Sequence, residues 1–491
     1  MKVLFCTSEA VPFAKTGGLA DISGALPAAL AGSGCDVRVA LPRYGSIALD
    51  GLASRGTVTV PVAGMDGTAT IYETQLPEGA PVPVWLVDAP RWFDRPGLYG
   101  EGGRDYPDNL ERFAFFCRAL LAWVGQQVNW HPDVIHCHDW QTALIPVLLR
   151  TGPAAGAPPT VLTIHNLAYQ GLFDAERWDT LGLPRALFTV EGLEFWGKIN
   201  LLKGGLVFAD VLTTVSETYA REIQTEAFGA GLEGVLRTRR DDLVGILNGV
   251  DYRVWDPSND RFIAAAYTDE DLTGKRVCKE HLQRALGLAV DPDVPVIGMV
   301  TRLVDQKGLD LVAQVIVEVF GLGAQFVLLG TGDPRYHQLF AELAQRFPRQ
   351  AGITLGFDDA LAHRIEAGAD IFLMPSRYEP SGLNQLYSLR YGTVPIVRRT
   401  GGLADSIVDL TPETLDRGTA NGFVFDEPMP TALFWAIRRS LAAFRDTKVW
   451  RGLQLVGMRA DFSWGASAAK YRQLYDRAAA RRSARAASVR G

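Results

Sequence analysis

With 491 residues, 47% of them hydrophobic and 21% charged, the chain has the length for two or three domains with sizeable cores. A net charge of −6 leaves no basic footprint for nucleic acid, and no apolar run reaches the length of a membrane span. Cys6, Cys35, Cys117, Cys137 and Cys278 form no CxxC pair, which reads as buried, reduced thiols in the cytoplasm and excludes a regular disulfide framework.

The N-terminus opens on strand-like KVLFCTSEA and not on a signal peptide. After it, DVRVALP, VPVWLVD, DVIHCH, TVLTIH and DVLTTVS are short runs rich in Val, Ile and Leu, bounded by turn residues. Continuous apolar runs of this kind suit parallel strands buried on both faces. Amphipathic stretches such as NLERFAFFCRALLAWVGQQV at 109–128 predict helices between them, so the first half is α/β and doubly wound. The stretch ILNGVDYRVWDPSND at 246–260 has the Asn, Asp, Gly and Pro of a domain seam. Beyond it VPVIGMVTR, AQFVLLGTG, GITLGF, DIFLMPS and TVPIVRR predict a second set of strands. KGLDLVAQVIVEVF, PRYHQLFAELAQRF and GLNQLYSLRYG supply its helices. The final AAARRSARAASVRG is basic and lacks apolar periodicity, and a frayed tail is expected there.

One hexapeptide occurs twice, as KTGGLAD at 15–21 and RTGGLAD at 399–405. Each copy stands where a strand leads into a helix. Paired glycines let a backbone approach a ligand closely, and helix starts favour anions. A lone GG pair would be a tight turn; one copy per domain, each behind a basic residue, suggests a shared cleft. Neither copy matches GxGxxG or GxxxxGK-S/T, so dehydrogenase and P-loop readings lack their fingerprint.

Together KTGGLAD, HCHDW, TIHNLAYQG, ILNGVD, TRLVDQKGLDL and PSRYEPSGLNQLYSLRYGTVPIVRRTGGLADSI resemble the bacterial glycogen synthases and plant starch synthases of glycosyltransferase family 5. The ordered match runs from residue 1 to about 475. It implies the GT-B architecture, with two Rossmann-like doubly wound domains facing across a cleft. An acceptor-glucan domain is expected over 1–250, a nucleotide-sugar domain over 251–460, and over 461–491 a helix packing back on the first domain before the frayed tail. The implied reaction is retaining transfer of glucose from ADP-glucose to the non-reducing 4-OH end of an α-1,4-glucan, releasing ADP, in the cytoplasm, with no nucleic acid, membrane or cofactor involved.

Such a transfer needs fixed cations at the departing diphosphate. Arg302 and Lys307, at the end of one predicted strand and the start of the next helix, are the candidates, with Lys15 a third. Asp291-Pro292-Asp293 matches the metal-binding DxD of other sugar transferases but precedes its strand, away from the ligand face, and is rejected; no metal is expected. His136 and His138 alternate onto one strand face, yet no third metal ligand accompanies them. Asp139 suits a helix cap, and the family places it in the active site.

By resemblance His165 is a ligand of the donor glucose, Asn248 lies at sugar and phosphate, and Glu9 and Tyr99 form the wall. Glu379 holds the sugar and balances positive charge. Related transferases have a second Glu where this chain has Tyr387, and many family members have Cys where it has Ser381. The donor site is completed by Gly17, Gly18 and Asp21, by Gly330 and Gly332 of GTGD, by Ser381, Gly382 and Leu383, and by Thr400, Gly401 and Gly402. Two other two-lobed α/β classes fit less well. A solute-binding protein is normally shorter and exported, and a glucan phosphorylase needs a lysine-bound pyridoxal phosphate and a much longer chain.

Overall fold

The computed structural model describes residues 1–77, 81–152 and 157–490. The chain forms two compact units, Met1–Gly249 together with the last helix, and Val250–Ser463. In the first unit, β1 (Lys2–Cys6), β2 (Asp36–Pro42), β3 (Ala53–Val62), β4 (Met65–Gln75), β5 (Pro83–Asp88), β6 (Val134–His138), β7 (Thr160–Ile164), β8 (Val211–Thr214) and β9 (Leu243–Gly245) make one sheet. Among the described residues its order is β9-β8-β7-β6-β1-β2-β5-β4-β3. β1 lies parallel to both β2 and β6, with Val3 opposite Val37 and Val134. Every residue from Val3 to Cys6 is buried, as a strand covered on both faces requires. Helices α1 (Gly18–Gly32) and α2 (Asn109–Gln126) supply part of that cover, α2 through Leu110, Phe113, Phe116, Cys117 and Leu120.

The β3–β4 hairpin is antiparallel and has no counterpart in the predicted strands. Neither strand carries a continuous apolar run; Val58, Val60 and Val62 face inward alternately, and only that face is covered. Ala63 and Gly64, both at positive φ, turn the chain between the strands.

In the second unit, β10 (Val296–Val300), β11 (Gln325–Gly330), β12 (Ala351–Leu355), β13 (Ile371–Met374), β14 (Val394–Arg398) and β15 (Phe423–Phe425) form a sheet in the order β12-β11-β10-β13-β14-β15. All its recorded pairings are parallel. Relative to its own first strand this is the 3-2-1-4-5-6 order of the dinucleotide-binding fold. α3 (Leu309–Gly321) follows β10, and the short α4 (Gly401–Ser406) follows β14.

The last helix, α5 (Trp464–Arg490), belongs to the first unit. Trp464, Ala468, Tyr471, Tyr475 and Ala478, spaced three and four apart, enter that unit's core. The frayed end expected from 478 is corrected: the helix continues to Arg490. Alanine and arginine are strong helix formers, so a segment without an apolar stripe still holds helical backbone.

Candidate active site

Ligands of open parallel sheets lie beyond the carboxyl ends of the strands, where successive crossovers diverge to opposite sides. In the first unit that point falls between β1 and β6. The segment after β1 carries Glu9, which is buried, and four donors converge on its carboxylate. Thr16 gives its N–H to Oε2 and its hydroxyl to Oε1, each at 2.6 Å, Gly17 gives its N–H to Oε2 at 3.2 Å, and the Tyr99 hydroxyl reaches Oε1 at 2.7 Å. Glu9 is therefore more than a wall residue, because it shapes the KTGG turn that leads into α1.

Asp139 follows β6 with φ +55, an uncommon backbone conformation for a residue with a side chain. The expected helix cap is corrected. Asp139 lies within the short helix Asp139–Thr142, which has no side-chain cap, and its Oδ1 accepts the backbone N–H of His165 at 2.8 Å. His165 follows β7, and its Nε2 lies 2.8 Å from Nδ1 of His138. Asn248, near the end of the unit, is buried with its Oδ1 unpartnered among the described residues.

In the second unit the crossovers diverge between β10 and β13. A cavity of about 180 Å³ opens there, lined among others by Arg302, Lys307, Ser376, Glu379, Gly382 and Leu383. Arg302 is exposed, and its guanidinium has no hydrogen bond or ion pair among the described residues. Lys307 sits in a single 3-10 turn before α3, and its Nζ lies 2.5 Å from Glu379 Oε2. The Ser376 hydroxyl donates to the same oxygen at 2.9 Å. Lys307 is thus held in an ion pair with the carboxylate beside it. Ser381 is buried with its hydroxyl unpartnered among the described residues. Tyr387 stacks on Trp255 at 4.0 Å and 4°, so the place of the second Glu is taken by a packed aromatic pair.

The glycines of the site have packing duties. A Cβ on Gly330 would fall 2.1 Å from the Thr301 carbonyl oxygen, and one on Gly332 would fall 2.5 Å from that of Leu303. These glycines let the loop after β11 close on the loop holding Arg302. Gly401, at φ +44, and Gly402 press likewise on the Glu379 and Ser381 carbonyls, with Thr400 buried before them. Gly402 spends its N–H on the carbonyls of Glu379 and Pro380. Thr16, Gly17 and Gly402 all direct their N–H groups to protein oxygens, so these three are not donors the turns offer to a ligand. Lys15, half-exposed, pairs with Asp21 at 2.7 Å, and Arg399 pairs with Asp426 at 2.6 Å. Gly18 is simply the first residue of α1. Asp291 and Asp293 form a local turn ahead of β10, with the Asp293 N–H on Asp291 Oδ1 at 2.9 Å.

Burial pulls His136 and His165 down to about 3 and holds His138 well below its ordinary range, while burial raises Asp139 to about 7. Below about pH 6.5 the unfolded chain takes up three histidine protons that the folded chain refuses. Asp139 runs the other way: its folded carboxyl keeps a proton up to about pH 7, so its contribution is present at low pH and is lost as pH rises. Three histidines against one carboxyl mean that these four groups together bind more protons in the unfolded chain below about pH 6, so their joint contribution to stability falls on acidification. Urea unfolding of the protein at pH 6.5, 5.5 and 4.5 checks this. A flat midpoint across the range would show that the histidines titrate freely.

Two residues of the site are not announced by the sequence. Ser376 ends a predicted strand at the ligand edge, a position that was a usable signal. The alternation of His136 and His138 points only towards a metal, whereas His138 meets His165, 27 residues away, and nothing local announces the contact.

A model of the starch synthase catalytic domain matches residues 2–238, and one of the group 1 glycosyl transferases matches 287–444. The chain is 48% identical over 484 residues to glycogen synthase 1 of Methylococcus capsulatus, covering 98% of this chain and 97% of that one. It is 50% identical over 479 residues to glycogen synthase 2 of Nitrosococcus oceani, covering 96% of each. Among solved structures, the catalytic domain of starch synthase IV from Arabidopsis thaliana, bound to ADP and acarbose, is similar with a TM-score of 0.89. Its identity is 35%, over 97% of this chain and 99% of that one. With two parallel-sheet units of this kind and relatives that match nearly end to end, the chain belongs to the glycogen synthase and starch synthase family of GT-B glycosyltransferases.

Proposed function

We propose that this chain transfers glucose from ADP-glucose to the non-reducing 4-OH end of an α-1,4-glucan, with retention of configuration and release of ADP. The cavity between β10 and β13 carries the reading, because it combines the exposed cation Arg302 with the Lys307–Glu379 pair at one strand edge. A departing diphosphate needs fixed positive charge, and a sugar acquiring oxocarbenium character needs a carboxylate near it. Arg302 and Lys307 serve the first need. Glu379 serves the second, and it keeps the site near neutrality before the donor arrives. The second unit takes the donor and the first unit the acceptor, and burial keeps His165 of the first unit neutral. The acceptor hydroxyl attacks from the face the diphosphate leaves.

Cationic side chains take the place of a metal in this scheme, and no cofactor is required. We place the protein in the cytoplasm, in keeping with five free, buried cysteines; among the described residues no helix is long and apolar enough to cross a membrane. Purified protein should release ADP from ADP-glucose only when a glucan is present, and should do so after exhaustive chelation. Equal release with UDP-glucose would dismiss the choice of donor, and strict dependence on added Mg²⁺ or Mn²⁺ would dismiss the metal-free scheme.

A further inference from the structure

We propose that Trp196 is a platform for the glucan acceptor, stacking on a sugar ring well behind the chain end that is elongated. The inference rests on the function proposed above. Trp196 and Gly197 are the two turn residues between the strands Glu194–Phe195 and Lys198–Asn200, with Phe195 opposite Lys198. Both stand at positive φ, +51 and +77, as a two-residue hairpin of this hand requires. Asparagine or glycine takes the first place with little strain, whereas a bulky aromatic there is an outlier. Trp196 is also 84% exposed, so burial does not offset the strain. A residue kept against both local and packing preference points to a use at the surface.

The surroundings fit a sugar chain and not a protein. The ring meets Phe195 edge to face at 6.3 Å, and a Cβ on Gly231 would fall 3.6 Å from its Nε1. Those contacts steady one edge and leave most of the ring to solvent. Exposed charges flank the hairpin: Lys198 lies opposite Asp174 of the strand Leu172–Asp174, with Nζ and Oδ1 a loose 3.8 Å apart. One tryptophan offers roughly 200 Å² of surface. A stable protein contact needs about 800 Å² from each partner. A pyranose ring matches the smaller figure, with C–H groups for the indole face and hydroxyls for the ammonium and carboxylate beside it.

Position supplies the link to the site. The three strands form one small sheet, and its Phe173 packs at 5.8 Å on Trp140, the residue after Asp139. Phe173 pairs with Ile199, and Trp196 stands three residues from Ile199, roughly 10 Å by strand rise. A polymer whose growing end lies at Asp139 and His165 reaches Trp196 with sugars further back.

The test uses the full-length protein with Trp196→Asn, which removes the ring and suits the turn, and Trp196→Phe, which keeps a ring. Retention in glycogen-containing gels without donor reads the platform directly, whether or not glucose is transferred. Trp196→Asn should be retained less than wild type, and Trp196→Phe nearly as much. With ADP-glucose present, glycogen KM should rise about tenfold in Trp196→Asn, since a second anchor on one chain raises apparent affinity. Its kcat, its donor KM and its KM for maltose, too short to span both places, should stay at wild-type values. Its melting temperature should not fall, because the substitution relieves the turn. Unchanged glycogen retention and KM would overturn the proposal, and so would a lowered melting temperature, which would make the ring a packing residue. A changed sedimentation coefficient would overturn it too, by putting a second copy on this face. Trp196-dependent retention in a protein that transfers no glucose would uphold the platform and dismiss the reaction.

Discussion

Alanine at Arg302 is expected to lower glucosyl transfer by roughly 10²–10³-fold, the usual loss on removing one electrostatic donor from a transition state. The unfolding transition should not move, because the side chain is exposed and makes no ion pair among the described residues. Lys307→Ala should lose comparable turnover and behave differently in every other respect. Its side chain is 15% exposed and that of Glu379 is 9% exposed, so deleting the lysine strands a buried carboxylate. Breaking such a pair from one side costs about 3–5 kcal/mol. The double variant Lys307→Ala/Glu379→Ala removes both charges, and it should recover stability without recovering activity. Calorimetry on the four proteins, with ADP release under saturating donor, checks the set. Full activity in Arg302→Ala would remove it from the mechanism; an unshifted Lys307→Ala would mean the pair is solvated.

The second large effect separates the two TGGLAD copies. Gly402→Val should abolish activity through the fold itself, since a Cβ there would lie 1.9 Å from the Ser381 carbonyl oxygen. Backbone cannot yield that far, and the segment carrying Glu379, Ser381 and Gly382 would be displaced with it. Gly17→Val is the opposite case. No atom lies within 4 Å of a Cβ at Gly17, and its φ of −155 is extended backbone that any residue adopts. A normal unfolding curve is expected, so kinetics become readable as ligand approach. Donor KM raised tenfold or more, on the order of 1.4 kcal/mol, would place the first copy against the substrate. Wild-type kinetics in Gly17→Val would leave it as a turn held by Glu9.

What the sequence disclosed divides along physical lines. Strands buried on both faces, such as KVLFC and QFVLLG, are continuous apolar runs and stand out in a single chain. The β3–β4 hairpin is covered on one face, and its alternation is diluted by Thr, Gly and Ser. At the site, residue types at strand ends were legible: Arg302, Glu379, Asp139 and His165 all follow strands, on the ligand edge. Their partners were not. Lys307 with Glu379, Glu9 with the Thr16 turn and His138 with His165 are meetings made by the fold, and spacing in sequence carries no record of them.

Because α5 completes the first unit while Val250–Ser463 forms the second, the second unit is in effect an insertion within the first. Synthesis from the N-terminus therefore delivers the units in the reverse of their numbering. The second unit is contiguous and has all its residues once Ser463 has left the ribosome. The first must wait, its core lacking Trp464, Tyr471 and Tyr475 until the closing helix emerges. The waiting chain is kept close to its destination: the Val250 N–H bonds the Phe462 carbonyl at 2.7 Å, so the outgoing and returning strands lie side by side. A stop codon after Ser463 thus damages the unit that was translated first, and a nascent chain halted there should expose its N-terminal half to proteases while the later-made half resists them.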